Sequence, residues 1–340
     1  MGQTASILAS FLFTFIPDQL FAQLPTVDAD LTGRIFLVTG SNTGLGLAVA
    51  IHLARLKPAR LVLGVRDLAK GAEAKKEIIA QTQFAGTIDV WELDMTKFES
   101  VKSFAKKTNS TLARLDGAII NAGIANPAQW YMTSDGWERT LQVNAIATGL
   151  LSVLLLPLLQ VTTKLPPPPD ALQTPPHLTI TGSAGTPNYG PISRTKDPNI
   201  LQTLNDKSKW VEPDRYFVTK LFDLYLAREI GTLPQAEGVV VNVVDPGLCL
   251  SDIGRDENLK GVALYLFHKL GWPVSKGALN LLYGVLTPTP SGSFITSCEI
   301  RQPPSWTRSK DAFKVQRKVW DEMVEVWRGV SPDIDELVRR

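Results

Sequence analysis

From residue 33 onward, short apolar runs rich in β-branched residues alternate with longer segments of helical periodicity. The runs are RIFLVTG, RLVLGV, TIDVWELD, LDGAIINAG, HLTITGS and GVVVNVVDPG, and GSFITS (292–297) is a candidate last strand. Strands that alternate with helices of about ten or more residues form βαβ units, and right-handed crossovers then place helices on both faces of a parallel sheet. The sequence therefore predicts a doubly wound α/β fold of the Rossmann type with about seven strands.

This alternation divides the chain into three parts. Residues 1–30 form an apolar N-terminal arm, residues 31–300 a single domain, and residues 301–340 a helical C-terminal extension. The extension carries an aromatic stripe that we expect to lie in the core: Phe313, Trp320 and Trp327. Within the domain, two long segments interrupt the alternation at 184–215 and 251–290. Because long insertions in compact domains are commonly functional, we expect the first to shape a substrate pocket and the second to form a lid.

The composition argues against several classes of function. A net charge of +2 over 340 residues predicts no nucleic-acid partner. The two cysteines, Cys249 and Cys298, are far apart and support no disulfide framework, which suits a cytoplasmic location. The three histidines are scattered, so no metal site is predicted.

Two apolar segments raise the question of a membrane. The N-terminal run ILASFLFTFI is too short to span a bilayer, and it has no basic region or cleavage site of a signal peptide. The start MGQTAS fits the N-myristoylation pattern. Three interpretations of residues 1–25 stay open: packing on the domain, packing on a partner subunit, and peripheral contact with a membrane. The run Ala145–Val161 lies inside the strand–helix alternation and predicts a buried helix.

The first strand ends in TGSNTGLG (39–46), where Gly40, Gly44 and Gly46 follow the spacing G-x-x-x-G-x-G. A glycine-rich turn lets the backbone approach a pyrophosphate, and the helix that starts there directs its N–H groups and positive end at the phosphates. The turn follows a strand and opens a helix, which is the context that this mechanism requires. It therefore predicts a dinucleotide site.

The end of the second strand, LGVRD, indicates which dinucleotide is bound. A carboxylate there would bind the ribose 2′-hydroxyl of NAD, whereas an arginine accommodates the 2′-phosphate of NADP. Gly64 and Val65 offer no carboxylate, and Arg66 follows them. The sequence predicts NADP, although Asp67 is only one residue further along.

Seven motifs, in order over residues 30–255, resemble the short-chain dehydrogenase/reductase family. They are TGSNTGLG (39–46), LDM (93–95), NAG (121–123), QVNA (142–145), TGSAG (181–185), YFVTK (216–220) and DPGLCLS (245–251). Within the family, the chain is most similar to the retinol-dehydrogenase-like branch and to fungal enzymes of secondary metabolism. It departs from that branch at Gly182, where a serine is usual, and in the long insert before YFVTK.

The resemblance implies the residues of an active site. The catalytic tetrad would be Asn144, Ser183, Tyr216 and Lys220. The implied cofactor contacts are Gly40, Asn42, Gly44, Leu45, Gly46, Arg66, Asp94, Asn121, Ala122, Gly123, Tyr216, Lys220, Pro246, Gly247, Cys249 and Ser251. Among the last four, the backbone near Cys249 would meet the nicotinamide carboxamide.

The implied chemistry is acid–base catalysis by a tyrosine. A free phenol has a pKa of about 10, and a neighbouring ammonium such as Lys220, one helical turn along, lowers it. Tyr216 would then donate a proton to a carbonyl oxygen that Ser183 stabilises, Lys220 would hold the ribose, and Asn144 would bind a relay water. This implies an NADP-dependent enzyme that reduces a ketone or aldehyde of a lipophilic or secondary-metabolite compound.

Other functions stay open. The same fold and cofactor could serve alcohol oxidation or a non-redox step such as dehydration, epimerisation or rearrangement, and a binding scaffold without turnover is a third interpretation. Homo-oligomers through the helices that bear Asn144 and Tyr216 are common in the family, but the arm and the extension could block that association.

Overall fold

The computed structural model describes residues 15–125, 129–169, 171–183, 197–210, 214–251 and 269–340. Its centre is an eight-stranded sheet in the order β3-β2-β1-β4-β5-β6-β7-β8. The strands are β1 Ile35–Thr39, β2 Arg60–Val65, β3 Thr87–Glu92, β4 Gly117–Ile120, β5 His177–Thr181, β6 Val240–Asp245, β7 Ser293–Thr296 and β8 Glu299–Arg301. Strands β1 to β7 pair in parallel, and β8 pairs antiparallel with β7. The predicted doubly wound sheet is confirmed, with one short edge strand more than expected.

Helices cover both faces of this sheet. They are α1 Ile16–Phe21, α2 Gly44–Arg55, α3 Leu68–Thr82, α4 Phe98–Thr111, α5 Arg139–Thr163, α6 Ile200–Asn205, α7 Asp214–Ile230, α8 Val274–Leu286, α9 Lys310–Arg328 and α10 Ile334–Val338. One apolar cluster joins the sheet to α4, α5, α7 and α9, and a second joins its other face to α2 and α8. The strand order reverses between β1 and β4, so a crevice for a ligand opens at the carboxyl ends of these two strands.

Helix α5 is long and apolar enough to cross a membrane, with a mean hydropathy of 2.0 in its most apolar stretch. It lies in the core instead, because 78% of that stretch is buried inside the protein. The segment Gln142–Ile146 within it is a π-helix. Such a widened turn changes the direction in which its side chains point, and it is frequent at functional sites.

The C-terminal extension packs against the domain through α9, which contacts α7, and α10, which contacts α5. Trp327 is fully buried and its indole nitrogen donates to the Ile146 carbonyl at 2.9 Å. Trp320 is also buried, but Phe313 is 46% exposed, so the prediction of a buried stripe was wrong at that position. Residues seven apart are rotated by about 20° per repeat around a straight α-helix. Phe313 lies two repeats from Trp327, near the helix start, so its side chain is rotated away from the buried stripe.

Several predicted features fall outside the described residues. These are the first fourteen residues of the arm, half of the insert (184–196 and 211–213) and part of the predicted lid (252–268). The pocket-shaping role and the lid role of 252–268 therefore stay predictions. Residues 274–286 of the predicted lid form α8 instead, which is packed in the core against the sheet. Residues 197–210 of the insert contain α6, whose first two backbone amides, Ile200 and Leu201, donate to Glu322 of α9.

Candidate active site

The glycine turn lies between β1 and α2, at the crevice. Gly40 and Gly44 have φ values of +64° and +59°, which other residues rarely adopt. A Cβ on Gly46 would lie 2.3 Å from the Gly40 carbonyl oxygen, so this position has no room for a side chain. Within the described part of the chain, the Thr43 side chain at the N-cap does not bond to the first-turn amides of α2. These amides are therefore disposed to bind an anion such as a pyrophosphate.

Residues Asn121–Gly123 connect β4 to this turn. The Asn121 amide donates to the Thr39 carbonyl at 3.0 Å, and the backbone N–H groups of Asn121 and Ala122 both donate to the Thr39 hydroxyl at 2.9 Å. The NAG motif thus fixes the end of β1 against the end of β4. Asn42 and Leu45, in the turn itself, are half-buried.

The end of β2 carries two charged residues with different surroundings. Arg66 is exposed. The carboxylate of Asp67 accepts hydrogen bonds from the backbone N–H groups of Ala69 at 2.9 Å and Lys70 at 3.1 Å, and so caps α3. A capping carboxylate is engaged by its own helix. Arg66 is therefore the side chain that the end of β2 offers to a nucleotide.

Asp94 follows β3 and faces the same edge of the site. Its carboxylate accepts from the Thr96 amide at 3.0 Å and the Thr96 hydroxyl at 2.6 Å, and Lys97 lies 3.6 Å away. Burial opposes ionisation of Asp94, but the Thr96 hydrogen bonds, with help from Lys97 and Arg66, lower its pKa. An ionised acceptor held in one orientation is suited to recognising the donor groups of an adenine.

The segment after β6 forms the opposite end of the site. Gly247 has a φ of +76°, and its N–H donates to Asp245 at 3.0 Å. The Cys249 thiol is buried against Gly277 of α8 and donates to the Pro246 carbonyl at 3.4 Å. Burial raises its pKa to about 12. Only the backbone of Cys249 is thus available to a ligand.

Ser251 brings this segment back to the glycine turn. A Cβ on Gly44 would lie 3.8 Å from that of Ser251. The two segments predicted to bind the cofactor phosphates and the nicotinamide therefore lie side by side.

Lys220 lies at the centre of the predicted tetrad. Its ammonium donates to the Thr181 carbonyl at 2.8 Å and to Asp223 at 3.0 Å. The same ammonium lies 6.0 Å from the centre of the Tyr216 ring. The Tyr216 hydroxyl is hydrogen-bonded to Ser183. Burial raises the pKa of Tyr216, and Lys220 and the Ser183 bond oppose that rise.

Asn144 approaches from the π-helical segment of α5. Its amide donates to the Ile124 carbonyl at 2.9 Å and the Thr219 hydroxyl at 3.1 Å, while its oxygen accepts from the Ile124 N–H at 2.9 Å. A Cβ on Gly123 would lie 3.4 Å from the Asn144 oxygen and 3.7 Å from the Lys220 nitrogen. The NAG motif therefore brings Asn144 and Lys220 together, next to the glycine turn.

The unusual Gly182 has a local cause. A Cβ at this position would lie 2.8 Å from a methyl group of Val243 on β6. The serine usual in this branch would collide with that methyl group. Ser183, one residue along, is half-buried and reaches Tyr216 without this obstruction.

The sequence reasoning missed Asp223. This residue is fully buried one turn beyond Lys220, and burial raises its pKa to about 7 although Lys220 opposes the rise. One oxygen contacts Lys220, and the other, Oδ1, has no hydrogen-bond partner in the described ranges. The spacing i, i+3 from Lys220 was visible in the sequence, but the burial of both groups was not.

The described residues contain no group of three or more His, Cys, Asp or Glu side chains that could hold a metal ion. His177 is fully buried at the start of β5, where its ring nitrogens lie 2.7 Å from the Pro175 carbonyl and 3.1 Å from that of Thr287. It is a core residue, distant in the fold from the carboxyl ends of the strands.

Comparison with known proteins identifies the family. A model of the short chain dehydrogenase family matches residues 34–164. The short chain dehydrogenase/reductase dmxR8 of Cryptosporiopsis sp. is 34% identical over 94% of this chain and 98% of its own. The short-chain dehydrogenase/reductase ffsI of Aspergillus flavipes is 32% identical over 90% of this chain and 89% of its own. Both relatives are fungal, as the sequence predicted.

Solved structures share the fold. A Pseudomonas aeruginosa RhlG/NADP active-site complex is similar with a TM-score of 0.57 and 22% identity, over 78% of this chain and 95% of that one. A short-chain dehydrogenase from Sphingobium yanoikuyae in complex with NADPH has a TM-score of 0.56 and 18% identity, over 85% and 94%. Fold, motif order and sequence identity agree, and the chain belongs to the short-chain dehydrogenase/reductase family of oxidoreductases.

Proposed function

We propose that this protein uses NADPH to reduce a ketone or aldehyde of a lipophilic or secondary-metabolite compound. The observation that carries the proposal is the convergence of Ser183, Tyr216, Lys220 and Asn144 beside the glycine turn. A proton donor, a cation and a second hydroxyl thus lie together at the carboxyl edge of a sheet with a dinucleotide turn. Cytoplasmic location is part of the proposal, because both free cysteines are buried thiols.

NADP fits the residues of the site. The Gly40–Gly46 turn would receive the pyrophosphate, since Gly46 has no room for a side chain and the Thr43 side chain does not cap the first-turn amides of α2. Arg66 would pair with the 2′-phosphate, because Asp67 is committed to capping α3. Solved relatives of the same fold are described as complexes with NADP and NADPH, which supports this choice.

When bound, the reduced nicotinamide supplies the hydride. The protein residues then handle the proton and the developing charge. Burial keeps the Tyr216 phenol protonated, which is the form that a proton donor needs. As the carbonyl oxygen gains charge, the Ser183 hydroxyl donates to it and Tyr216 transfers its proton. Lys220, which raises the acidity of the phenol by its charge, stabilises the phenolate that remains.

The proton lost by Tyr216 must be replaced from solvent. Lys220 and Asn144 both lie within contact distance of the Gly123 position, so a water between them would continue a path from the ammonium towards the protein surface. Asn144 is held by three hydrogen bonds in the π-helical segment, and its orientation is therefore fixed.

The test is a paired measurement on wild type and Tyr216→Phe. We expect wild type to oxidise NADPH in proportion to the alcohol formed from lipophilic ketones and aldehydes. The variant should bind NADPH as wild type does but lose the rate by a factor of about 10² or more, because a general acid contributes about 10²–10⁴-fold. Unchanged turnover in the variant would refute the assigned role of Tyr216.

The same assay separates the alternatives. Alcohol oxidation would produce NADPH, and a dehydration, epimerisation or rearrangement would form product with no net change in nicotinamide absorbance. A binding scaffold would bind ligand without turnover in either wild type or Tyr216→Phe.

A further inference from the structure

Gln19 of the N-terminal arm is buried in contact with the cofactor side of the domain. It is only 5% exposed, although its neighbours Leu20 and Phe21 are 51% and 77% exposed. Its amide nitrogen donates to the Leu248 carbonyl at 3.0 Å and the Leu270 carbonyl at 2.7 Å, and its amide oxygen accepts from the Leu248 N–H at 3.0 Å. One side chain thus satisfies both backbone groups of Leu248.

The backbone of Gln19 adds a further bond. Its carbonyl accepts from the indole nitrogen of Trp272 at 2.6 Å. The backbone N–H of Trp272 donates to the Leu248 carbonyl at 2.7 Å, and the backbone carbonyl of Trp272 accepts from the Leu250 N–H at 2.8 Å. Gln19 therefore joins two segments, 248–250 and 270–272, that lie far from it in sequence.

The position of Gln19 also depends on Gly247. A Cβ on Gly247 would lie 2.7 Å from the Gln19 amide oxygen, so this approach requires glycine. Residues Pro246–Cys249 are the segment whose backbone would meet the nicotinamide carboxamide. The side chain of Gln19 is thus bonded directly to that segment.

We propose that Gln19 is a positioning residue for the nicotinamide end of the cofactor site, where it fixes the backbone of Leu248. This inference rests on the proposed function, because it takes the 246–249 segment as the receiver of the nicotinamide. Gln19 touches neither cofactor nor substrate in this role. Gln19 limits the conformations of this loop. Without it the loop would adopt its binding geometry only part of the time, and the apparent affinity for the cofactor would be lower.

A second anchor of α1 provides the control. The Asp18 carboxylate is paired with both terminal nitrogens of the Arg301 guanidinium group on β8. Arg301→Gln removes this ion pair and loosens the same helix, but leaves all the Gln19 bonds to Leu248 in place. A general effect of loosening α1 would appear in both variants, whereas positioning of the loop would be lost only at Gln19.

The experiment measures binding of two ligands to wild type, Gln19→Ala, Gln19→Glu and Arg301→Gln. The first ligand is NADPH, followed by its fluorescence. The second is adenosine 2′,5′-bisphosphate, which carries the adenosine half and the 2′-phosphate but no nicotinamide, followed by calorimetry. Gln19→Glu keeps an acceptor for Leu248 N–H but places a carboxylate against two carbonyl oxygens. It provides a second probe if the alanine variant folds poorly.

We expect both Gln19 variants to bind NADPH at least about tenfold more weakly, a change of about 1.4 kcal/mol. Binding of adenosine 2′,5′-bisphosphate should be unchanged, and Arg301→Gln should bind both ligands as wild type does. Equal weakening of both ligands, or NADPH binding as tight as in wild type, would overturn the positioning role. Wild type that binds neither ligand would instead refute the proposed function.

Discussion

Arg66 and Asp67 are neighbours at the end of β2, but Asp67 is held by the first turn of its own helix. The sequence alone left both cofactors open, because the carboxylate was one residue from the arginine. The hydrogen bonds from Ala69 and Lys70 favour NADP, since they show the carboxylate capping its own helix. The choice of cofactor thus depends at the residue scale on a helix cap.

Arg66→Ala tests this choice. A hydrogen bond to a charged group contributes about 1.5–3 kcal/mol, so NADPH should bind about 10- to 150-fold more weakly in the variant. NADH has no 2′-phosphate, and its affinity should change little. Lys76→Ala, which removes an exposed positive charge on α3 that is paired with Glu73, is the control. Equal losses for NADPH and NADH in Arg66→Ala would argue against the phosphate contact.

Asp223 predicts a pH dependence of stability. Its pKa is about 7 in the folded protein, against about 3.9 in an unfolded chain. The folded state therefore holds a proton that unfolding releases between these values. The stability linked to this proton is fully present below about pH 4 and is lost as the pH rises through 7, by up to about 1.4 kcal/mol per pH unit.

Asp223→Asn removes this titration. We expect the melting temperature of the variant relative to wild type, measured in a series from pH 5 to pH 8, to increase up to about pH 7 and then to level off. Asp206→Asn, at a half-buried carboxylate that caps the short 3₁₀-helix Lys207–Lys209, should show no such trend. A difference that instead stays flat from pH 5 to pH 8 would mean that the ion pair with Lys220 holds the pKa of Asp223 below the pH range studied.

At the scale of elements, the spacing of the apolar residues was enough to predict most of the strands and helices. Each of the six apolar runs forms a parallel strand, because strands buried on both faces have near-continuous apolar sequences. The three residues of β8 are too few to show any period. The π-helical turn around Asn144 was not predicted. Packing of the arm on the domain was one of three open interpretations, and the structure shows it for α1 through Gln19, a contact that the sequence did not identify.

The residues of the candidate site likewise fall into those that the sequence predicted and those that it did not. The glycine turn, Asn144, Ser183, Tyr216 and Lys220 were predicted from local motifs, and the fold brings them to one edge of the sheet. Asp223 and Gln19 were missed, because an acid or an amide on a helix is usually exposed and only the tertiary structure reveals its burial. Motifs in the sequence thus located the candidate site, whereas only the structure revealed Asp223 and Gln19, the buried groups that contact its residues.

At the scale of the whole molecule, the C-terminal extension covers part of the helices that bear the site. Helix α9 lies against α7, and α10 against α5. Trp327 links α9 to the π-helical segment, since its indole donates to Ile146 and its ring packs on Gly149, where a Cβ would lie 2.5 Å away. The extension therefore supports Asn144 through the helix that carries it. A second copy could associate through α5 and α7 only where the extension leaves them exposed.

Trp327→Ala measures this support. Replacing a fully buried tryptophan leaves a cavity and removes the hydrogen bond to the Ile146 carbonyl, so we expect a loss of about 3–5 kcal/mol in the free energy of unfolding. Phe313→Ala is the matched control, because it truncates an aromatic side chain on the same helix that is 46% exposed. Thermal and urea unfolding of both variants should separate them by several degrees and by a clear shift of the midpoint. Similar small effects in both would mean that α9 is dispensable for the domain, and the support of Asn144 would then have to come from within α5 and α7 alone.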